Sequence, residues 1–189
     1  MDQKTKNLSD ELIVQLIQKG QQEPFSFLVE RYEKKLKSYA YRFLNNQQDI
    51  EDLVQETFIK AFVNIQSFDL ERKFSSWLYR IAHNTFVNHL KKKKNDLVLF
   101  FDADTLFPHP IAKERPDKDA ELKELQQMLD YGLDQLDAKY KEPVILYYLQ
   151  DLSYQDISDV MQIPVSTVGV RIKRAKENLA KIFKEKKYE

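Results

Sequence analysis

The 189-residue sequence contains no cysteine, which excludes disulfide bonds, thiolate zinc sites and cysteine nucleophiles. This absence fits a reducing compartment, and we expect a cytoplasmic protein. Only three glycines and six prolines are present, while 32% of the residues are charged, a composition typical of a helical protein. The longest apolar runs, residues 97–101 and 143–149, are shorter than the roughly 18 residues that a membrane span requires. We therefore expect neither membrane insertion nor a signal peptide.

The sequence also lacks the motifs of common enzyme sites. No HExxH, P-loop or GxSxG string occurs in it. Its three histidines are His83, His89 and His109, and the first two are six residues apart, so they do not share one face of a helix. We therefore expect no catalytic residue, no metal site and no cofactor.

The net charge is zero, but the charges are unevenly distributed along the chain. Residues 71–94 contain seven Lys or Arg and one Glu, a net charge of +6, and residues 165–189 contain eight against three acids, a net charge of +5. Residues 117–137 contain seven acids and two bases, a net charge of −5. Two basic segments predict two separate contacts with nucleic acid, whereas each one alone is also typical of a solvated helix face.

Four segments of the first half have the apolar spacing of amphipathic helices: residues 9–19, 25–44, 49–62 and 74–88. In the last of these, the face opposite the apolar stripe presents aromatic, basic and amide side chains: Ser76, Tyr79, Arg80, His83, Asn84 and Val87. Such a mixture suits stacking on unpaired bases and binding of phosphates. Ordinary helix packing is the alternative, because aromatic residues at helical spacing are usually core residues.

Residues 95–117 have no helical period and contain three prolines, so they predict a linker between two domains. The part from 97 to 107 is unusually apolar for a tether. It could pack on one of the domains, insert into a partner enzyme or contact an inhibitory protein. Helical spacing returns over residues 119–136 and 140–150, where Pro143 is tolerable only in the first turn.

The last third of the chain predicts a helix-turn-helix. Ser153 and Asp156 form a capping-box pattern, residues 162–165 predict a turn, and Ser166 is a candidate N-cap of the second helix. The exposed face of that helix is expected to present Thr167, Gly169, Val170, Lys173, Arg174 and Glu177. In a recognition helix, Arg contacts guanine, and Thr or Val contacts the methyl group of thymine.

Two strings in the chain carry a family resemblance. D-I-E-D-L-V-Q-E-T-F-I-K-A-F (residues 49–62), followed by F-S-S-W-L-Y-R-I-A-H-N (residues 74–84), resembles the first domain of extracytoplasmic-function RNA polymerase sigma factors of the sigma-70 family. L-S-Y-Q-D-I-S-D-V-M-Q-I-P-V-S-T-V (residues 152–168) resembles the promoter-binding helix-turn-helix of that family. The resemblance implies an all-α fold with two small helical domains, residues 1–94 and 119–189, joined by a flexible linker, residues 95–118.

The resemblance also implies a function and its partners. The chain is expected to bind core RNA polymerase, to recognise the −10 and −35 promoter elements and to melt the −10 region, and an anti-sigma factor is an expected partner. Docking on the polymerase clamp is implied for Glu51, Asp52, Gln55 and Glu56. Contact with the −10 element is implied for Lys60, Phe68, Tyr79, Arg80, Asn84, Asn88, Lys91 and Lys92. Contact with the −35 element is implied for Ser166, Thr167, Gly169, Val170, Arg171, Lys173 and Arg174.

Several alternatives remain open at this level. The acids of residues 51–56 are also explained by a helix N-terminus that favours negative charge. Phe68 either lines a pocket for a flipped base, as the resemblance implies, or packs on its own core, as lone loop aromatics usually do. Gly169 and Val170 depart from the family, which often has a basic residue and a serine there, so base preference is in doubt. A stand-alone helix-turn-helix regulator would need only the second half of the chain.

Overall fold

The computed structural model describes residues 7–95 and 120–186, and these residues form eight α-helices. The N-terminal domain contains α1 (Asp10–Gln18), α2 (Phe25–Ala40), α3 (Gln47–Asn64) and α4 (Phe74–Asn95), with a 3₁₀ turn at Ile65–Ser67. The C-terminal domain contains α5 (Ala120–Asp134), α6 (Ala138–Tyr148), α7 (Tyr154–Met161) and α8 (Val165–Lys186). The predicted all-α, two-domain fold is confirmed. Most of the predicted linker, including residues 97–107, lies outside the described residues.

The N-terminal domain packs α4 against α3 and α2 around an aromatic core. Phe74, Leu78 and Ala82 of α4 are almost completely buried, as the apolar spacing predicted, and Phe86, which lies outside the predicted stripe, is buried as well. Tyr39 of α2 packs its ring against Phe86, with 5.6 Å between the ring centroids. The Gln18 side chain of α1 donates hydrogen bonds of 2.9 Å to the carbonyls of Ile65 and Phe68, in the segment after α3. These bonds hold α1 against the core.

Several helix ends in this domain differ from the predicted ranges, and α4 continues to Asn95 rather than ending at residue 88. Helix α2 ends at Ala40 rather than at residue 44, and residues 41–44 continue as a turn that still buries Phe43 and Leu44. Helix α3 begins at Gln47, two residues before the predicted start at Asp49. The reason is Asn46, whose side chain accepts a hydrogen bond of 3.1 Å from the backbone N–H of Asp49 and so caps the helix.

The helix-turn-helix is formed by α7 and α8. The predicted capping box is confirmed, because Asp156 N–H donates to Ser153 Oγ at 3.2 Å and Ser153 N–H donates to the Asp156 carboxylate at 3.0 Å. Gln162 ends α7 in the left-handed conformation, with φ of 55°. Ser166 is not the N-cap of α8. The helix begins at Val165, two residues before the start that an N-cap at Ser166 would give, because the carbonyl of Pro164 accepts the first hydrogen bonds, from Thr167 and Val168.

Pro143 does not lie in the first turn of α6, as the sequence had suggested. Helix α6 begins at Ala138, so Pro143 is its sixth residue. A proline there cannot donate to the carbonyl of Lys139, which costs the helix one hydrogen bond. The helix continues because the residues that follow, Val144, Ile145 and Leu146, are buried in the domain core, and this packing offsets the loss.

The two domains also contact each other, chiefly through α4 and α7. The side chain of Glu142 on α6 accepts hydrogen bonds from Tyr39 of α2 and from His83 of α4, the latter at 2.6 Å. Lys73, just before α4, forms an ion pair of 2.9 Å with Asp156. Within the described ranges, no helix has the length and hydropathy needed to cross a membrane.

Candidate protein and nucleic-acid interfaces

The first candidate interface is the exposed face of α3. All four side chains for which clamp docking was predicted, Glu51, Asp52, Gln55 and Glu56, lie exposed on this face. Glu51 and Asp52 accept hydrogen bonds from residues one turn away: Gln47 donates to Glu51 and Gln48 donates to Asp52, each at 3.0 Å. These carboxylates are therefore available to a positively charged partner.

Glu56 differs from the other three because it is paired with a residue of the second predicted site. Its carboxylate lies 2.7 Å from Lys60 Nζ, and Lys60 also donates to Thr85 Oγ1 of α4 at 3.2 Å. Lys60 is thus held between the acidic face of α3 and the helix that was predicted to contact the −10 element. A substitution at Glu56 would disturb both sites at once.

An apolar groove between α2 and α3, of about 530 Å³, adjoins this acidic face. Glu51 and Gln55 contribute to its wall, and Phe25, Ile59 and Phe62 supply apolar surface. Phe62 has the spacing of the apolar stripe of residues 49–62, which predicts a core residue, but it is 36% exposed. Its ring packs on Phe25 at the rim of the groove, with 5.0 Å between the ring centroids. Ile59, which the sequence analysis did not single out, is 55% exposed.

Helix α4 presents only part of the face that was predicted to contact DNA. Five of the predicted residues are exposed and lie along one side of the helix: Arg80, Asn84, Asn88, Lys91 and Lys92. Tyr79 and Ser76, which were expected to be exposed, are 1% and 7% exposed. The Tyr79 ring packs on Tyr39 of its own domain, with 5.5 Å between the ring centroids, and its hydroxyl donates to Gln150 of the second domain. Both domains therefore bury Tyr79, and a helical periodicity does not reveal the position of the second one.

Phe68 is buried, with 5% of its surface exposed. Its ring lies 5.2 Å from the ring of Trp77 and 5.9 Å from that of Phe74, centroid to centroid. Asn84 follows Trp77 by seven residues, or about 10 Å along the helix axis. The structure therefore brings Lys60 to the Asn84 end of α4 and Phe68 to the Trp77 end.

The third candidate interface is the outer face of α8. Ser166, Val170, Lys173 and Arg174 are exposed there, whereas Thr167, Gly169 and Arg171 are half-buried. Lys173 pairs only weakly with Glu177, at 4.0 Å and one turn away. A Cβ atom on Gly169 would lie 3.5 Å from the Tyr154 ring, an ordinary contact. Packing within the chain therefore does not require glycine at this position.

Asp156, in the first turn of α7, is held by its pairing with Lys73. Burial tends to raise the pKa of Asp156, but hydrogen bonds from Ser153 and the Lys73 ammonium lower it, so the carboxylate stays ionised and keeps its cap on α7. Among the described residues, no three His, Asp or Glu side chains are placed to bind a metal ion together.

Comparison with known protein families matches both halves of the chain. Residues 28–95 match Sigma-70 region 2, and residues 126–179 match Sigma-70, region 4. The first match contains α3, α4 and most of α2, and the second contains the helix-turn-helix. The structure therefore has the two conserved regions of a sigma-70 protein in their expected order.

Similar proteins extend over nearly the whole chain. SigW of Bacillus subtilis, an ECF RNA polymerase sigma factor, is 37% identical over 180 residues, which is 91% of this chain and 95% of SigW. The ECF sigma-E factor of Haemophilus influenzae is 36% identical, covering 90% and 93%. The structure of CnrH in complex with the cytosolic domain of CnrY is 26% identical, has a TM-score of 0.69, and covers 93% of this chain and 97% of that chain.

The chain belongs to the extracytoplasmic-function sigma factors of the sigma-70 family. As a sigma factor, it directs RNA polymerase to promoters. The alternative of a stand-alone helix-turn-helix regulator is not favoured, because it leaves the region 2 match unexplained. Sigma factors as a class are not enzymes.

Proposed function

We propose that this sigma factor divides promoter recognition among the three interfaces described above. The acidic face of α3 binds the polymerase clamp, the exposed side of α4 holds the melted −10 element, and α8 contacts the −35 element. The observation that supports this proposal best is the exposed basic side of α8, because Lys173 and Arg174 lie on the second helix of a capped helix-turn-helix. The reaction chemistry is left to the polymerase in the cytoplasm.

Both the charge of the α3 face and the shape of the groove beside it favour docking on the polymerase clamp. Within α3, Glu51 and Asp52 are hydrogen-bonded to neutral glutamines, so α3 itself does not compensate their charge. Lys37 of α2 acts on Glu51 electrostatically, but its direct ion pair is with Glu33. The adjoining groove adds apolar surface, including Ile59 and Phe62, which a protein partner would bury. An acidic rim beside an apolar groove suits a partner helix with basic and apolar side chains.

For the DNA elements, the exposed side chains supply two kinds of contact. Lys91 and Lys92 are suited to phosphates, and the amides of Asn84 and Asn88 are suited to base edges. On α8, Val170 and Arg174 are placed for a major groove, where an arginine binds guanine and an apolar side chain contacts thymine. An anti-sigma partner is part of the proposal, since the similar protein CnrH was solved bound to the cytosolic domain of CnrY.

Charge reversal on α3 tests the docking site. We choose Glu51→Lys with Asp52→Lys and leave Glu56 unchanged, because Glu56 also holds Lys60. We expect core-polymerase binding, measured by fluorescence anisotropy, to fall by roughly two orders of magnitude, since two attractive charge pairs become repulsive. The measurement uses no DNA, so it reports on docking alone.

The matched control is Glu23→Lys with Glu71→Lys, which makes the same change in net charge at two exposed acids of the same domain. The control should bind core polymerase with nearly normal affinity at physiological salt, because screening weakens distant charges. Equal losses in both double variants would mean that only net charge matters, and the assignment of the α3 face would be wrong.

A further inference from the structure

Glu142 lies at the centre of the contact between the two domains. It is on α6 of the second domain and is 2% exposed, yet its side-chain partners, Tyr39 and His83, are both in the first domain. The Tyr39 hydroxyl and His83 Nδ1 both contact the same carboxylate oxygen. These two hydrogen bonds can therefore form only while the domains are together.

Other polar contacts surround this centre. Lys73 is paired with Asp156 at 2.9 Å, and the Tyr79 hydroxyl donates to Gln150. Arg42 of the first domain is paired with Asp130 of the second. The contact thus joins the domains at several points through hydrogen bonds and ion pairs. Polar contacts of this kind are typical of domain interfaces that open, because water can satisfy every group after separation.

The contact occupies one strip of α4. Ser76, Tyr79 and His83 follow one another at helical spacing, and all three are buried or nearly so. Arg80, Asn84 and Asn88 lie beside this strip and remain exposed. The second domain therefore covers part of the helix face that bears the predicted −10 contacts.

The closed arrangement is also too short to span the distance between the −10 and −35 promoter elements. The −10 and −35 elements are separated by about 25 base pairs, or about 85 Å at 3.4 Å per base pair. A compact chain of this length has a radius of gyration of about 16 Å, so it is on the order of 40 Å across. With the domains in contact, α4 and α8 cannot reach both elements at once.

We propose that the chain free of polymerase is held in a closed, autoinhibited arrangement by a latch of polar residues centred on Glu142, with Tyr39 and His83 as its partners. Binding to polymerase and promoter requires the latch to open. Because both partners are in the other domain, removing the carboxylate leaves buried donors that only domain separation can return to water. The closed state is thus sensitive to a single side chain.

The test measures the distance between the domains in the isolated chain. The sequence has no cysteine, so Glu23→Cys and Lys181→Cys, both at exposed positions, provide unique sites for two spin labels. In the otherwise unchanged chain, we expect one narrow, short distance distribution by double electron–electron resonance. Glu142→Ala in this background should shift it to longer and broader distances, raising the open fraction by roughly tenfold or more.

A second variant distinguishes domain opening from misfolding. Alanine is a good helix former, so α6 should tolerate Glu142→Ala, and far-ultraviolet circular dichroism checks this. Tyr39→Phe removes only the hydroxyl and retains the ring contacts with Phe43, Tyr79 and Phe86, so it should open the chain without disturbing the core. His89→Gln is the matched control, since His89 lies on the same helix but faces Asp49 of its own domain at 3.5 Å.

A functional measurement completes the test. If only the open chain binds, the apparent affinity for core polymerase rises by the factor by which the open fraction rises. Glu142→Ala should therefore bind core polymerase more tightly than the unchanged chain, whereas His89→Gln should not. A broad distance distribution in the unchanged chain would overturn the latch. So would an unchanged, narrow distribution in folded Glu142→Ala and Tyr39→Phe. These distances are measured without polymerase or DNA, so they do not depend on the proposed docking residues.

Discussion

Helices α4 and α8 are the two basic helices of the chain, and they differ in how much of their outer face is exposed. Each has 22 residues and an apolar stripe that packs into its own domain. The outer face of α8 stays exposed at Val170, Lys173 and Arg174, whereas α4 loses Tyr79 to contacts with the other domain. A charge pattern therefore identifies the free face of a helix within one domain, but it cannot reveal a second domain that packs on that face.

The largest effect should come from Phe68→Ala, which sharpens the difference between the buried and exposed parts of the −10 site. Phe68 is buried against Phe74 and Trp77, so truncation leaves a cavity and should lower the free energy of unfolding by about 3–5 kcal/mol. Thermal or urea unfolding measures this. A loss below about 1 kcal/mol would show that the ring is not part of the core. Melting defects in this variant must therefore be separated from instability.

Arg174→Ala tests α8, the exposed member of the comparison. If Arg174 contacts a guanine, binding to the −35 element should weaken by about 1–3 kcal/mol and sequence selectivity at one position should relax. Since Arg174 is exposed, stability should not change. Lys181→Ala, two turns further along, is the control and should leave selectivity intact. An equal loss on all sequences, with the salt slope reduced by about one, would identify a phosphate contact instead.

The sequence predicted most of what depends on local pattern. Helix spacing identified Phe74, Leu78 and Ala82 as buried residues of α4, and the Ser153 and Asp156 pair predicted the start of α7. It placed Pro143 wrongly because a helix interior tolerates proline when packing offsets the lost hydrogen bond, and packing depends on distant residues. The burial of Tyr79 was missed for the same reason. Contacts between residues about 70 positions apart leave no periodic signal.

Asn84→Ala isolates the exposed part of α4. Asn84 is on the surface, so the variant should fold normally, unlike Phe68→Ala. If its amide binds a flipped base, the loss of one hydrogen bond should reduce open complexes by about 0.5–1.5 kcal/mol, or roughly threefold to tenfold. Permanganate reactivity of promoter thymines measures opening. A pre-melted template should restore transcription in part, since it removes some of the unstacking cost. Normal reactivity on duplex DNA would contradict the assignment.

The smallest effect should be the pH dependence of the domain contact, which is specific to α4 and has no counterpart on α8. Burial tends to lower the pKa of His83, but the charge and hydrogen bond of Glu142 outweigh it, so this pKa is raised above 6.5. Burial tends to raise the pKa of Glu142, but His83, Tyr39 and Arg171 lower it below 4.5. On α4 itself, Lys91 acts weakly against the protonated histidine. The pair is therefore ionised in the closed state.

The sign of the effect follows from these two shifts. The raised pKa of His83 gives stability that is complete below pH 6.5 and is lost as the pH rises through that pKa. The lowered pKa of Glu142 gives stability that is complete above pH 4.5 and is lost in acid. The open fraction, measured with the spin-labelled chain, should thus increase a few-fold from about pH 6 to about pH 9. In His83→Gln this increase should disappear, while His89→Gln should retain it. An equal increase in both variants would place the titrating group outside the latch.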